Sequence, residues 1–308
     1  MKKIKVKAPA TVSNVGSGFD IMGFAFDGAG DILELSLRDD EEIHISNQTT
    51  CSLPEMAADN VVFPALKAMQ DQLKSRQGAN ISFIQKINPG SGIGSSAASS
   101  VAAVFAYNEL QGRPFDPEEL IVFAMEGEKM VSGAAHADNV APCMLGGFTL
   151  IRSYKPLDIV KVPFPGDLFC TVVHPHISIT TRESRAALKE TTSLHDTVTQ
   201  AGNAAGLITG LITGDFDLIG RSMVDVIAEP RRKKLIPGYD MVKKSAIDSG
   251  VIGVNISGSG PSVFALSTST QTANKAGMLM QKKFLEHGLT CSVYISGIAN
   301  KGVSIIQE

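Results

Sequence analysis

At 308 residues, 44% hydrophobic and 19% charged, the chain has material for one large globular unit or two ordinary ones of roughly 150 residues each. A formal net charge of −3 excludes whole-chain attraction to nucleic acid or to an anionic membrane, so any phosphate binding must come from a local site. Four cysteines, Cys51, Cys143, Cys170 and Cys291, stand far apart with no C-x-x-C pair, which argues against zinc and disulfides and for reduced thiols in a cytoplasm.

The N-terminal MKKIKVKAPA carries lysines, but its apolar residues alternate and no apolar h-region follows, so it is not read as a signal peptide. No apolar run approaches the ~20 residues of a transmembrane helix. Ile4 and Val6 read as a half-buried opening strand, followed by a loop rich in Gly, Ser and Asn at 13–18. Strands are expected at 31–38 and 42–46. A helix should start at Asp59-Asn60, with apolar residues at Val62, Ala65, Leu66, Met69 and Leu73. Residues 79–87 alternate again and run into a glycine-rich stretch at 89–98. Small residues with Val101, Val104 and Phe105 predict a tightly packed helix to about Leu110.

Asp116-Pro117-Glu118-Glu119 predicts a helix start, with an N-cap, a proline at the first position and acids in the first turn. That helix carries Glu126 and Glu128. A strand is expected at 148–152, and the Pro/Gly-punctuated segment 156–166 is the best boundary, dividing the chain into 1–160 and 161–308. The second unit reads as a strand at 168–173 and helices at 182–189, 195–213, 216–227 and 238–248. Strands at 251–256 and 262–267, a helix at 271–287 and a strand at 291–297 follow. This order suits an antiparallel sheet with helices on one face, an α+β architecture.

The informative stretch is PGSGIGSSAASS at 89–100, between a predicted strand and a predicted helix. Glycines let backbone approach a ligand, and the free N–H groups of a helix start attract anions. A Walker P-loop needs lysine after its last glycine, where Ser95 stands, and the dinucleotide fingerprint needs glycine at 95. No G-x-S-x-G nucleophile elbow occurs. The plain alternative is a flexible Gly/Ser loop, which the strand before and the helix after make weaker.

Together with two further segments, this stretch resembles the GHMP kinases, the superfamily of galactokinase, homoserine kinase, mevalonate kinase and phosphomevalonate kinase. Residues 7–20, KAPATVSNVGSGFD, resemble its first motif, 89–100 its phosphate-binding motif, and 256–262, ISGSGPS, its third. The three occur in order, so the resemblance covers nearly the whole chain. SGAAHADNVAP at 132–142 and AEPRR at 228–232 are most similar to the homoserine kinases. Ser17 stands where these often carry proline and Ile93 where leucine is usual; neither change removes a chemical group the site needs.

The resemblance implies the GHMP kinase fold, an N-terminal ATP-binding domain like ribosomal protein S5 domain 2 and a ferredoxin-like C-terminal substrate-binding domain. It implies that ATP lies over Pro89, Gly90, Ser91, Gly92, Ile93, Gly94, Ser95, Ser96, Ala97, Ala98 and Ser99, with Asn60 beside the adenine. The plain alternative for Asn60 is a helix cap. Mg²⁺ is implied at Ser96 and Glu128, with Glu126 the rival carboxylate; this ion prefers oxygen and often takes only one or two ligands from protein.

For the acceptor the resemblance points to Asn14, Asp20, His136, Asn139, Arg185 and Arg232. L-Homoserine carries a carboxylate, an ammonium and a hydroxyl. The two arginines suit the carboxylate through paired charge-assisted bonds, while Asp20 would take the ammonium or orient the hydroxyl. Asp20, Ser96 and Glu128 are the residues expected to serve catalysis. The implied activity is ATP-dependent phosphorylation of L-homoserine in threonine biosynthesis, by a cytoplasmic homodimer.

Two alternatives stay open: another acceptor such as mevalonate or a sugar, and a non-catalytic ligand sensor. The second predicts a damaged phosphate loop or a missing metal ligand, and the sequence shows neither. Arg231 and the lysines after Arg232 read as a solvated basic run. His174-Pro175-His176 lacks a third ligand and reads as a strand end.

Overall fold

Two long antiparallel strands, β1 (Lys3–Ser13) and β2 (Met22–Leu37), form the spine of the first sheet in the computed structural model, which describes every residue except Met1, Glu55, Arg76, Gln307 and Glu308. A register shift between Pro9 and Ala10 accommodates the proline, which has no N–H to give the ladder. The C-terminal half of β2 pairs with β4 (Ala79–Gln85), which pairs in parallel with β3 (Ile43–Asn47). The start of β2 pairs instead with β5 (Phe148–Tyr154), and β5 with β6 (Leu157–Val162).

Four helices accompany this sheet: α1 (Val62–Leu73), α2 (Ser95–Leu110), α3 (Pro117–Ser132) and α4 (Val140–Leu145). Helix α2 has no charged residue before Glu109, and Ala97, Ala98, Val101, Ala102, Ala103 and Val104 are fully buried. Such a helix is stable only enclosed, and its small side chains let β1, β2, α1, α3 and α4 approach closely. Helix α3 starts as expected: Glu118 N and Glu119 N donate to Asp116 Oδ1, and Asp116 N donates to Glu119 Oε2, all at 3.0 Å.

The chain changes sheet between Val162 and β7 (Phe169–Pro175). Helices α5 (Thr181–Ala186), α6 (Leu194–Thr213), α7 (Phe216–Ser222), α8 (Glu229–Arg232) and α9 (Tyr239–Ile247) follow, then β8 (Gly253–Ile256), β9 (Val263–Ser267), α10 (Thr270–Glu286) and β10 (Cys291–Gly297). The second sheet is antiparallel in the order β10-β7-β9-β8, the 4-1-3-2 order of a ferredoxin-like unit. Period-2 alternation sorts its two faces. Val173, Val263 and Ala265 pack with α9 and α10, whereas Cys170, Val172, Phe264 and Leu266 join the core shared with the first sheet. Phe24 of β2 stands at that junction, 4.8 Å from the Phe148 ring and 5.8 Å from Phe264.

The structure departs from expectation in several elements. Segment 156–166 contains β6, because its prolines flank the strand instead of interrupting it. The last helix before Ala228 ends at Ser222, and α4 and α8 are short helices that periodicity did not mark. The strand read at 31–38 begins at Met22, so it is twice as long. The final strand, β11 (Ser304–Ile305), returns to the first sheet and pairs with β1 through Val6 and Lys7.

Phe24→Ala should destabilise the protein by about 3–5 kcal/mol, because it empties a fully buried site shared by both sheets. Urea unfolding checks this. A loss under about 1 kcal/mol would show that the two sheets do not share one cooperative core.

Candidate active site

The three sequence motifs are hydrogen-bonded to one another. Loop 86–94, between β4 and α2, has Gly90, Gly92 and Gly94 at φ +74°, +77° and +72°, a region L side chains rarely enter. A Cβ on Gly92 would lie 2.4 Å from the Gly260 carbonyl oxygen, and one on Gly94 would lie 2.0 Å from Thr11 Oγ1. Ser262 Oγ donates to Ser91 O (2.6 Å), Ser257 Oγ to Gly92 O (2.7 Å), and Thr11 N to Ile93 O (3.2 Å). In a trans peptide the N–H points opposite the C=O, so the N–H groups of Gly92, Ile93 and Gly94 face away from those partners.

Above this loop opens a cleft of about 480 Å³. Pro89, Gly90, Gly92, Gly94, Ser95, Ser96 and Ser99 line it, as does Asn60, whose Oδ1 also accepts from Val62 N at 3.1 Å. Ser91, Ile93, Ala97 and Ala98 are buried behind the loop and supply packing instead of cleft surface.

The two candidate carboxylates separate cleanly. Glu126 is half-exposed and lies 3.5 Å from Lys129, as a solvated helix pair does. Glu128 lies one turn beyond Ala124 on the buried face of α3, only 7% exposed, with Oε1 lacking any partner. Burial pushes its pKa up to about 7, opposed by a hydrogen bond with Ser96. A buried carboxylate oxygen without a donor, beside a serine hydroxyl at the glycine loop, fits a divalent cation. Among the described residues no three His, Cys, Asp or Glu side chains cluster for a metal, so such an ion would complete its shell with phosphate and water.

The acceptor candidates gather at the other end of the cleft, which Asn14, Asp20, His136, Asn139, Arg185 and Arg232 all line. Arg185 Nη1 donates to Asp20 Oδ2 (2.7 Å), and its Nη2 to Asp20 Oδ1 (3.2 Å) and to His136 Nε2 (2.8 Å). His136 Nε2 is therefore an acceptor, and burial lowers the imidazole's pKa. Asn14 Nδ2 donates to Gly258 O (3.0 Å) and its Oδ1 accepts from Asp20 N (3.0 Å). Asn139 accepts from Thr11 Oγ1 (2.8 Å) and donates to Ser13 Oγ (3.0 Å). Arg232, 4% exposed, donates from Nη1 to Gly258 O (2.7 Å), while its Nε has no acceptor. Arg231 and the lysines after Arg232 read as a solvated run, and Arg232 itself as an acceptor candidate; the short α8 turns Arg232 inward to line the cleft.

Three features of the cleft escaped the sequence reading. Asp138 lines it, 5% exposed, its pKa raised to about 7 by burial and by the charges of Asp20 and Glu128. It lies between two residues that were singled out, and that adjacency was the available signal. Lys86 and Asp31 form a buried ion pair beneath the loop (3.1 Å); Lys86 also donates to Ser95 Oγ (2.5 Å), and Ser99 Oγ donates to Asp31 Oδ2 (2.7 Å). An aspartate in the middle of an apolar strand was its signal. Asp225 accepts from the backbone N–H groups of Ile227, Ala228 and Glu229 at 2.8–2.9 Å and so fixes the start of α8, which carries Arg232. Nothing in local sequence pattern marked that cap.

Residues 60–147 match the GHMP kinases N-terminal domain and residues 207–284 the GHMP kinases C-terminal domain. The chain belongs to the GHMP kinases. It is 42% identical to the homoserine kinase of Chlorobium phaeobacteroides (strain BS1) and 44% identical to that of Chlorobium phaeovibrioides; each comparison spans 99% of this chain and all of the relative. A crystal structure of homoserine kinase from Cytophaga hutchinsonii superposes with a TM-score of 0.95 at 47% identity, over 99% of this chain and 98% of that one.

Gly92→Ala forces a Cβ against the Gly260 carbonyl at positive φ, so the loop must shift. ATP affinity should fall at least about tenfold, roughly 1.4 kcal/mol, measured by calorimetric titration. Unchanged affinity would mean that the loop backbone does not contact the nucleotide.

Proposed function

We propose that this chain is a homoserine kinase, transferring the γ-phosphoryl group of ATP to the side-chain hydroxyl of L-homoserine to give O-phospho-L-homoserine on the route to threonine. One observation supports a carboxylate-bearing acceptor above a neutral sugar: Arg232, a buried guanidinium that bonds only the Gly258 carbonyl among the described residues, opens into the same cleft as the glycine loop. A buried cation needs an anionic partner. The carboxylate of an amino-acid acceptor supplies one, with Arg185 beside it.

Phosphoryl transfer asks little covalent chemistry of a protein; positioning and charge stabilisation do most of it. The acceptor oxygen bonds to the γ-phosphorus as the bond to the β–γ bridging oxygen breaks; ADP leaves, and the hydroxyl proton is released to solvent. Loop N–H groups and the start of α2 hold the phosphates. Ser96 and Glu128 hold Mg²⁺, which when bound offsets charge on the β- and γ-phosphates. Residues 1–160 supply this ATP site, and 161–308 supply Arg185 and Arg232. Both carboxylate oxygens of Asp20 accept from Arg185, so Asp20 serves as a hydrogen-bond partner and the oriented hydroxyl attacks directly.

The working form is a cytoplasmic homodimer in this reading. All four cysteines are free thiols, and no helix among the described residues is long and apolar enough to cross a membrane. The outer face of α6 carries Leu194, Val198 and Ile212, 80%, 64% and 57% exposed, and α6 has no Asp, Glu, Lys or Arg after Asp196, which suits contact with a second copy.

ADP release from Mg-ATP should be strong with L-homoserine and negligible with mevalonate, galactose or L-threonine. Glu128→Ala should abolish it, and Asp20→Asn should cost far less than the roughly 10²–10⁴-fold that general-base catalysis contributes. Turnover on another acceptor would overturn the assignment of the arginines; ATP binding with no turnover on any would favour a sensor. Cell fractionation followed by light scattering tests the remaining points. A cytosolic dimer that Val198→Glu converts to monomer is expected, and recovery as a wild-type monomer or with membranes would refute that arrangement.

A further inference from the structure

Phe19 belongs to neither apolar core, although it is a large aromatic side chain and only partly exposed. Its neighbours are cations. The guanidinium of Arg185, from α5, lies over the ring 5.4 Å from its centroid, and that of Arg232, from α8, lies 5.1 Å from the same centroid. Two like charges from different elements thus converge on one ring. Asp20 bonds only one of them, because both its oxygens accept from Arg185; its charge reaches Arg232 through space without a contact. Arg232 bonds the Gly258 carbonyl and leaves Nε without an acceptor. An aromatic face carries partial negative charge and attracts cations most strongly where water is scarce, as it is around a guanidinium 4% exposed.

The ring is itself held in place. It sits between Gly18 and Asp20 in the loop joining β1 to β2. Asn14 Oδ1 accepts from Asp20 N, Tyr154 Oη donates to Asp20 O (2.8 Å), and Gln200 Nε2 donates to Ser17 O (2.9 Å). These bonds fix the backbone on both sides of Phe19.

We infer that Phe19 is a positioning residue whose ring holds Arg185 and Arg232 side by side, making one seat for the acceptor's carboxylate out of two cations that would otherwise repel. Resting on the amino-acid acceptor proposed above, this adds a residue that determines specificity without touching the reacting atoms. The ring acts on the acceptor through the arginines alone, so the nucleotide end of the cleft is unaffected.

The test replaces Phe19 in the full-length protein with tyrosine, with leucine, and with phenylalanines carrying one, two and three ring fluorines, which keep the ring's shape while weakening its negative face. Phe19→Leu should raise KM for L-homoserine about tenfold, with kcat and KM for ATP within about twofold of wild type; cation–ring attraction of this size supports that change. Phe19→Tyr should restore KM to within about threefold. The fluorinated series should raise KM stepwise with each fluorine at constant melting temperature, a dependence that a packing role does not produce and that stays readable even if the leucine variant folds poorly. A flat fluorine series, or equal losses at homoserine and ATP, overturns the inference while leaving the acceptor reading intact. A wild-type enzyme that does not phosphorylate homoserine overturns that reading, and this inference with it.

Discussion

The cleft depends on one contact above the rest, the turn at 257–261 pressed against the glycine loop. Ser257 N donates to Ser262 O (2.8 Å) and closes the turn, so that the hydroxyls of both serines reach carbonyls of the loop. The loop belongs to the first sheet and the turn joins β8 to β9 of the second. Their backbones approach so closely that Gly92 has no room for an ordinary side chain, since a Cβ there would lie 2.4 Å from the Gly260 carbonyl oxygen. The same turn offers the Gly258 carbonyl to both Asn14 and Arg232. One tight turn therefore sets the shape of the glycine loop and its separation from Asn14 and Arg232.

A second theme is charge placed where folding alone would not place it. Glu128, Asp138 and Arg232 are all at most 7% exposed, and none appears in an ion pair among the described residues. Burying an ionised group without a partner destabilises a fold by several kcal/mol, at order of magnitude, unless the group neutralises or finds a counter-charge. The two carboxyls respond by rising toward neutrality, both to about 7. Arginine has no such escape. By contrast, the buried Lys86–Asp31 pair beneath the loop is satisfied internally by Ser95, Ser99 and the Ile87 backbone. Buried charge in this protein thus divides into a completed network that supports the loop and an incomplete set that faces the cleft. The incomplete set is the part whose charges an incoming ligand would have to complete.

Legibility from sequence followed the range of the interactions. The start of α3, the glycine loop and the alternation in β7 and β9 depend on residues a few positions apart, and they read correctly. The extent of β2 did not, because its first half is glycine- and alanine-rich and lies between β1 and β5, the latter more than a hundred residues away. The strand at 157–162 was hidden by its flanking prolines, and β11 by its shortness. In the site, the motif residues that line the cleft were all recognisable, but through resemblance more than through local pattern. Asp225 shows why: its importance lies in three backbone N–H groups at the start of a four-residue helix, those of Ile227, Ala228 and Glu229, and no periodicity distinguishes that aspartate from a solvated one. Phe19 is a parallel case, since an aromatic residue in a sequence carries no sign of whether it will meet a core or two cations.

The loop that presents Phe19 shows how strain and function are reconciled residue by residue. Asn14, Val15 and Asp20 hold φ values of +70°, +41° and +56°, where an L residue costs about 1–2 kcal/mol relative to glycine. Glycine occupies neighbouring positions where a side chain has no room: at Gly16 a Cβ would lie 2.8 Å from the Met223 carbonyl oxygen, and at Gly18 it would lie 2.5 Å from Met22 Cβ. At the three strained positions the side chain is needed. Asn14 bridges Gly258 and Asp20, Val15 is fully buried, and Asp20 holds Arg185. Relaxing Asn14 or Asp20 to glycine would relieve the backbone and remove a constraint on the arginines, and relaxing Val15 would remove a buried side chain from the core. Strain concentrated beside an incomplete set of charges has a physical reading: the surrounding hydrogen bonds over-determine the loop, so that the end of the cleft lined by Asp20 and Arg185 is shaped before any ligand arrives.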